Sequence, residues 1–381
     1  ACPGSGKTEV VGMKAAYEIS KWEKDANNGI AILTFTNEAA NVIQERVNTF
    51  CNKSNIYPHF IGTLSSFFHS YIAQPFAYKV INYESETDDY SISIIDRDLN
   101  CNTHPWLKKY ECEISRLTSA IGYSKIYAHQ ISLDYRDNDV IIPESLYKYE
   151  SLKKRYVSKV FKEKLEEKRK EKDKKWLYKY NYKYCLETLI EDKNNFNKDG
   201  FANFDDMNNF AYKVLNENKE VARILSKRFP LIIVDECQDL SWIEIQVLNI
   251  LKMNGTKLHF IGDLNQSIFE FKRVDPSDTK EFVKNFEKMQ INDSFRSCQP
   301  IVDFSSKLLN LTKKINGKEE NILNENTLLY LEYNQPEELI QKYAIILEKL
   351  NIRKERSCIL VKQNKMKDEL LNIDKNSEKH L

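Results

Sequence analysis

The sequence predicts an α/β fold in which a parallel β-sheet is covered by helices and interrupted by a long insertion. Near the start, short apolar runs typical of buried strands alternate with stretches of helical periodicity. The alternation stops at about residue 75 and resumes near residue 200, and the stretch between is polar, rich in Tyr and Lys, and shows little strand pattern. The 381 residues also exceed the roughly 100–200 of one ordinary domain. We therefore expect two or three compact bodies.

The elements of the first α/β part follow one another in the order that a parallel sheet requires. Helices are expected at 8–24, 37–50 and 64–72, and strands at 29–35, 58–61, 231–234 and 257–261. Core packing is the favoured role for Phe67 and Phe68. Because strands occur on both sides of the polar stretch, one sheet is expected to be shared by 1–75 and 200–288, with an inserted helical domain at 76–199.

A second α/β set begins near residue 289. Helices are expected at 299–311 and 336–350, and strands at 327–331 and 358–361. We predict that residues 289–381 are the beginning of a second domain of the same class, which is truncated.

Composition places the chain among globular proteins without demanding a particular partner. The chain has 57 Lys and Arg residues and 56 Asp and Glu residues. Its formal net charge of +1 therefore gives no overall electrostatic attraction to nucleic acid or to a membrane surface. No apolar run approaches the roughly 20 residues that span a bilayer. Eight cysteines without a paired Cys-x-x-Cys pattern suit a reducing compartment. We expect a cytoplasmic protein without membrane association, although the first residue lies inside a motif and a signal peptide cannot be judged.

The first eight residues have the spacing of a phosphate-binding loop, with Ala1 where the pattern usually has its first Gly. Backbone N–H groups of such a loop, with the N-terminus of the next helix, form a cradle for phosphates. Lys7 is expected to reach the β- and γ-phosphates, and the Thr8 hydroxyl to bind Mg²⁺. The remaining residues assigned to the nucleotide are Pro3, Gly4, Ser5 and Gly6.

Two adjacent acids follow the apolar strand at 231–234. Asp235 is suited to hold the Mg²⁺, and Glu236 to orient and deprotonate a water molecule. An acid pair at the carboxyl end of a strand, beside a phosphate loop on the same sheet, is what in-line phosphoryl transfer to water requires. The pair therefore indicates nucleotide hydrolysis.

Together with further segments, these motifs resemble those of the UvrD/Rep family of superfamily 1 helicases. Segments similar to motifs Ia, Ib, II, III and IV occur in the family's order, at 32–40, 61–67, 235–239, 261–271 and 293–297. Residues 204–206, Phe-Asp-Asp, match a segment that often precedes motif II. The resemblance implies P-loop NTPase domains of the RecA-like type. The first (1A) comprises 1–75 and 200–288, the insertion (1B) comprises 76–199, and the second (2A) begins at 289.

The resemblance also implies roles for residues outside the two nucleotide motifs. Gln266 would sense the γ-phosphate, and Phe295 would stack on adenine. Arg296 would be an arginine finger, since a planar guanidinium suits the charge spread over a transferring phosphoryl group. The candidates for contact with single-stranded DNA are Phe35, Asn37, Thr63, Phe269, Phe271 and Lys272.

The sequence departs from the family pattern at several positions. Ser65 replaces a His in motif Ib, Ser294 replaces an Asn in motif IV, and no motif V or VI follows. We therefore expect the 381 residues alone not to turn over ATP. Within the family, residues 60–63 and 295–299 look closest to the helicase-like subunit of Gabija-type anti-phage systems, and a general DNA repair helicase is the competing interpretation.

These expectations combine into an ATP-dependent DNA helicase or translocase that uses ATP and Mg²⁺ on single-stranded or partly duplex DNA. Two alternatives stay open. One is an ATP-sensing switch or defence subunit that controls a partner nuclease without unwinding DNA, and the other is an inert fragment. DNA-stimulated turnover separates the motor from the switch, which should hydrolyse ATP slowly whatever DNA is added.

Overall fold

The computed structural model describes residues 2–22, 27–51, 56–115, 125–142, 166–167, 170, 182–264, 266, 275–311, 314–320, 329–361 and 366–371. The chain forms two compact units. The first is Gly6–Met289, and the second is Gln290–Leu381 together with Cys2–Ser5. Among the described residues, no helix has the length and apolar character needed to cross a membrane.

The first unit contains eight strands and ten α-helices among the described residues. Its strands are β1 (Ile30–Thr34), β2 (Phe60–Thr63), β3 (Ser93–Ile94), β4 (Ser132–Asp134), β5 (Asp139–Ile141), β6 (Phe201–Ala202), β7 (Leu231–Val234) and β8 (Lys257–Phe260). Its α-helices are α1 (Lys7–Lys21), α2 (Asn37–Cys51), α3 (Leu64–Phe68), α4 (Gln74–Phe76), α5 (Tyr78–Ile81), α6 (Tyr182–Lys198), α7 (Phe204–Glu217), α8 (Lys219–Arg228), α9 (Trp242–Met253) and α10 (Pro276–Phe282). A π-helical turn spans His69–Ala73, and 3₁₀ turns span Pro105–Tyr110, Ala128–Gln130 and Cys237–Asp239.

A four-stranded parallel sheet in the order β2-β1-β7-β8 lies at the centre of the first unit. Every residue of β1 and β7 is buried, as expected for parallel strands whose two faces are both covered. Ile32 lies opposite Ile61 on one side and Ile233 on the other. The predicted α/β class with a parallel sheet is confirmed, and each of the four strands lies within two residues of its predicted position.

Helices cover both faces of this sheet. Ile32 packs with α1 and α2 on one face, while Leu33, the next residue of β1, packs with α3, α7 and α9 on the other. Phe67 and Phe68 of α3 are fully buried in that second layer, as predicted. The carboxyl ends of β1, β2 and β7 consequently meet at one edge, where α/β proteins place their ligands.

The described part of the stretch predicted as a helical insertion, 76–199, is not purely helical. β4 and β5 form an antiparallel hairpin, and β3 pairs in parallel with β6. The sequence showed little strand pattern here because each strand is only two or three residues long. α6 is the long helix of this region, and most of the Lys-rich run at 153–170 lies outside the described residues.

A buried ion pair ties α6 to the first turn of α7. Lys193 Nζ lies 2.6 Å from Asp206 Oδ2, and both side chains are almost fully buried. Lys193 also donates to the Ala128 carbonyl at 3.0 Å, and the Asn203 N–H donates to Asp206 at 2.7 Å. Burial lowers the pKa of Lys193 and raises the pKa of Asp206, and each partner opposes the shift of the other. The pair therefore links α6 to α7 as long as both partners are present.

The second unit contains α11 (Gln299–Leu308), α12 (Pro336–Lys349), a 3₁₀ turn at Lys354–Arg356, and a helix at 366–371. β9 (Asp293–Ser294) and β10 (Asn316–Gly317) pair in parallel. The prediction of a strand at 358–361 is wrong, because the structure shows these residues in a conformation other than a strand. Leu360 is 91% exposed there; an apolar run forms a strand only where a neighbouring strand pairs with it. Of the strand predicted at 327–331, residues 329–331 are not a strand, and 327–328 lie outside the described residues.

Candidate active site

Lys7 lies beside the acidic pair at the carboxyl end of β7. It is buried, and its Nζ is 3.9 Å from Glu236 Oε2. α1 begins at Lys7, with Gly6 as its N-cap in the left-handed region at φ 74°. The first N–H groups of a helix have no partner within the helix. The first turn of α1 therefore offers both a cation and free amide donors, which together suit a phosphate group.

Asp235 offers an oxygen atom suited to a divalent cation. Its Oδ1 accepts the Glu236 N–H at 3.0 Å, whereas its buried Oδ2 has no hydrogen-bond partner among the residues that the structure describes. Burial and then the neighbouring Glu236 carboxylate raise the pKa of Asp235 to about 6, although the Glu236 N–H, Lys7 and the Thr8 hydroxyl oppose this shift. Asp235 and Thr8 are thus neighbours, as a shared Mg²⁺ would require.

Magnesium at this place would depend on few protein ligands. The described residues contain no group of three or more His, Cys, Asp or Glu side chains able to hold a metal. Mg²⁺ commonly keeps several waters and takes one or two carboxylates together with phosphate oxygens. Asp235 and Thr8 fit that pattern when a nucleotide supplies the remaining oxygens.

Glu236 has an unusual backbone conformation. Its φ is 51°, in the left-handed region, which costs a residue other than Gly about 1–3 kcal/mol and is concentrated at functional sites. Its carboxylate accepts a hydrogen bond from Gln238 Nε2 at 2.8 Å. The side chain that sequence analysis assigned as the base is therefore held between Gln238 and Lys7.

Gln238 connects Glu236 to the segment after β8. Gln238 Oε1 accepts the Asp263 N–H at 2.9 Å, and Gln266 Nε2 donates to Asp263 Oδ2 at 2.6 Å. The predicted site residue Gln266 thus belongs to the same chain of hydrogen bonds as Glu236. Neither Gln238 nor Asp263 is among the predicted site residues. The position of Gln238 inside motif II is the sequence signal that indicates a role for it.

The remaining predicted nucleotide residues lie in the second unit. The Phe295 N–H donates to the Gly4 carbonyl at 2.8 Å. A Cβ on Gly4, whose φ is 70°, would come within 2.5 Å of Arg296 Cβ, so this position requires glycine. Phe295 is 61% exposed, and Arg296 is exposed as well. The roles of Pro3, Ser5, Phe295 and Arg296 stay predictions.

A cavity of about 920 Å³ opens in the first unit beside the ends of β1 and β2. Phe35 and Thr63, two predicted DNA contacts, line it. Asn37 is exposed and is not among the lining residues. Phe269, Phe271 and Lys272 lie outside the described residues. The structure therefore brings two of the six predicted DNA residues into one space.

The Thr63 hydroxyl is already engaged. It accepts the Ser66 N–H at 3.1 Å as the N-cap of α3 and donates to Ser66 Oγ at 2.9 Å. Because both functions of the hydroxyl are used locally, Thr63 presents its methyl group and backbone to a ligand more readily than its hydroxyl.

Aromatic and charged side chains from distant parts of the sequence complete the cavity. Phe204, 60% exposed, stacks on His69 with ring centroids 6.0 Å apart, and Trp242 packs edge-on against Tyr212. Arg136 makes a bidentate pair with Asp278 at 2.6 and 3.1 Å. Burial lowers the pKa of His69, and a hydrogen bond with Asn208 opposes the shift. His69, Phe204, Trp242 and Arg136 are distant in the sequence and line the same cavity only in the folded chain.

Comparison with known proteins agrees with the motif pattern. A probable DNA helicase II homolog of Mycoplasma capricolum subsp. capricolum is 25% identical over 319 residues, which cover 83% of this chain and 39% of the relative. The exonuclease/helicase subunit RexA of Lactococcus lactis subsp. cremoris is 28% identical over 153 residues, covering 37% and 12%. The RecBCD enzyme subunit RecB of Borreliella burgdorferi is 36% identical over 103 residues, covering 27% and 8%.

The chain matches less than two fifths of the length of each of these relatives. The family model described as the UvrD/REP helicase N-terminal domain matches residues 1–287, which is 287 of the 381 residues. The chain therefore belongs to the UvrD/REP helicase family.

Proposed function

We propose that the protein containing this chain is an ATP-dependent DNA helicase or translocase, in which ATP hydrolysis drives movement along single-stranded DNA. The observation that carries the proposal is the placement of Lys7 3.9 Å from Glu236, with Asp235 adjacent, at the carboxyl end of β7. A phosphate-binding lysine beside an acid pair is an arrangement for hydrolysis. Family membership and a relative named as a DNA helicase II homolog support DNA as the track.

Each site residue of the first unit has a distinct role in this proposal. Lys7 neutralises the β- and γ-phosphates, and Asp235 with Thr8 holds the Mg²⁺. Glu236 orients the attacking water and takes its proton. The bound Mg²⁺ and ATP supply the phosphoryl group and part of the charge neutralisation. Arg296 is proposed to stabilise charge on the transferring group, as the family resemblance implies.

The cavity beside β1 and β2 is proposed to hold part of the DNA strand. Aromatic faces stack on any base without reading sequence, as a motor on arbitrary DNA needs. Phe35 is placed for such a contact because it lies at the sheet edge and lines the cavity.

Replacing Lys7 with Ala tests the nucleotide part of the proposal. Loss of a charged hydrogen-bonding partner, worth about 1.5–3 kcal/mol, should weaken ATP binding about 10- to 100-fold and abolish DNA-stimulated hydrolysis in the full-length protein. Equilibrium titration with a fluorescent ATP analogue and a steady-state hydrolysis assay measure the two effects. Lys14→Ala, later on the same helix, is the matched control. Wild-type turnover in the Lys7 variant would contradict the proposal.

Replacing Phe35 with Leu tests the DNA part. Leu keeps the apolar packing of this partly buried side chain against the core but removes the flat ring. Base stacking on an aromatic ring is worth about 1–3 kcal/mol, so we expect single-stranded DNA to bind about 5- to 150-fold more weakly, measured by fluorescence anisotropy with a labelled oligo(dT). Phe50→Leu, which changes a 47% exposed ring on α2, should leave affinity unchanged. Equal affinities for both variants would exclude Phe35 from the track.

The alternative is an ATP-sensing switch or defence subunit that controls a partner nuclease. Two relatives are named as an exonuclease/helicase subunit and as a RecBCD enzyme subunit, and these names support an association with a nuclease. A switch binds ATP tightly and hydrolyses it slowly whether or not DNA is present. A rise in hydrolysis on adding single-stranded DNA therefore supports the motor and opposes the switch.

A further inference from the structure

We propose that Gln238 is a positioning residue that couples the segment carrying Asp263 and Gln266 to the carboxylate of Glu236. The inference rests on the proposed function, in which Glu236 acts on water. It assigns the coupling to one buried side-chain amide.

Both ends of the Gln238 amide are hydrogen-bonded. Nε2 donates to Glu236 Oε2 at 2.8 Å, and Oε1 accepts the Asp263 N–H at 2.9 Å. Gln238 is only 3% exposed and Asp263 5%, so water has little access to the bond between them, and a low local dielectric strengthens it. The Glu236 side chain at the other end is 34% exposed. A displacement of the Asp263 backbone is therefore passed to the Glu236 carboxylate.

The segment after β8 is packed directly onto Gln238. A Cβ on Gly262 would lie 2.5 Å from Gln238 Oε1 and 2.7 Å from Cys237 Sγ. The Cys237 N–H also donates to the Ile261 carbonyl at 3.0 Å. This close approach leaves the amide little freedom to rotate away from Asp263.

Glu236 depends on Gln238 for its orientation. Lys7 Nζ, at 3.9 Å, is beyond hydrogen-bonding distance. In the part of the chain that the structure describes, the Gln238 amide alone hydrogen-bonds the Glu236 carboxylate. Without that bond the carboxylate is free to move onto Lys7, away from a water molecule. Gln266, bonded to Asp263 at 2.6 Å, is the other end of the same relay.

Gln238→Met in the full-length protein tests the relay, because Met keeps the volume and offers no comparable hydrogen bond. A displacement of about 1 Å costs about 100-fold in rate, and general-base catalysis contributes about 10²- to 10⁴-fold. We expect kcat for DNA-stimulated ATP hydrolysis to fall about 10- to 100-fold, with KM for ATP close to wild type and Tm lowered by a few degrees, because the buried Asp263 N–H loses its acceptor. Gln246→Met on α9, outside this chain of hydrogen bonds, should behave as wild type.

A double variant separates a relay from two independent effects. If Gln238 and Gln266 act in one relay, Gln238→Met combined with Gln266→Ala is no slower than the slower single variant. A double variant whose rate loss is the product of the two single losses would overturn the relay. A rise of KM for ATP in step with the fall of kcat in Gln238→Met would also overturn it, because that result marks a purely structural role. If DNA stimulates ATP hydrolysis by the wild type and the Gln238→Met variant hydrolyses ATP at the wild-type rate, this inference alone is overturned. If DNA does not stimulate ATP hydrolysis by the wild type, the proposed function is overturned as well.

Discussion

Glu236→Gln is expected to lower DNA-stimulated ATP hydrolysis about 10²- to 10⁴-fold, the range of a general base, while ATP still binds. The Gln side chain is isosteric and its amide oxygen still accepts the hydrogen bond that Gln238 donates to Glu236. It cannot take a proton from water. Steady-state hydrolysis gives kcat, and titration with a fluorescent ATP analogue gives the affinity.

The control for this prediction is Glu220→Gln, which changes an exposed carboxylate on α8 paired with Arg223. It should leave both quantities unchanged. Hydrolysis by Glu236→Gln within tenfold of wild type would remove Glu236 from the role of base. A loss of ATP affinity equal to the loss of kcat would instead assign Glu236 to nucleotide binding.

Lys193→Met is expected to lower the free energy of unfolding of the first unit by about 3–5 kcal/mol, because it leaves the Asp206 carboxylate buried without its partner. The pair is 2.6 Å apart with no exposure at Lys193. All four tryptophans fall between residues 22 and 242, so tryptophan fluorescence during urea unfolding reports this unit. Lys198→Met, an exposed position at the end of the same helix, is the matched control.

A second substitution distinguishes the ion pair from simple packing. Lys193→Met combined with Asp206→Asn removes the buried charge but keeps an acceptor for the Asn203 N–H. This double variant should recover much of the lost stability. If Lys193→Met costs less than about 1 kcal/mol, typical of an exposed ion pair, or if the double variant is no better than the single, the pair does not hold α6 to α7.

Long apolar runs made the strands of the central sheet predictable. The shorter strands were harder to predict, because they depend on pairing with a partner strand that the sequence does not reveal. β1 and β7 have five and four consecutive buried residues, a pattern that is visible without a structure. β3 and β6 have two residues each, too few to show periodicity. The apolar run at 358–361 shows the opposite error, because composition does not reveal whether a partner strand is available.

The candidate site was predictable where its residues are neighbours in the chain. Lys7, Asp235 and Glu236 each belong to a local motif whose spacing reflects phosphate and metal chemistry. The contact of Gln238 with Asp263 spans 25 residues and that of Lys193 with Ala128 spans 65, so only folding brings these groups together. Both the similarity to a Gabija-type system and the DNA repair alternative stay predictions.

Movement along DNA is tested most directly by timing the arrival of the full-length protein at a labelled end of single-stranded oligonucleotides of increasing length. The account predicts a lag that grows in proportion to length, requires ATP and Mg²⁺, and is absent in Lys7→Ala. The label is placed at either end in separate experiments, so that motion in either direction is detected. Movement along DNA would be contradicted if the signal, with the label at either end, depended neither on oligonucleotide length nor on ATP hydrolysis.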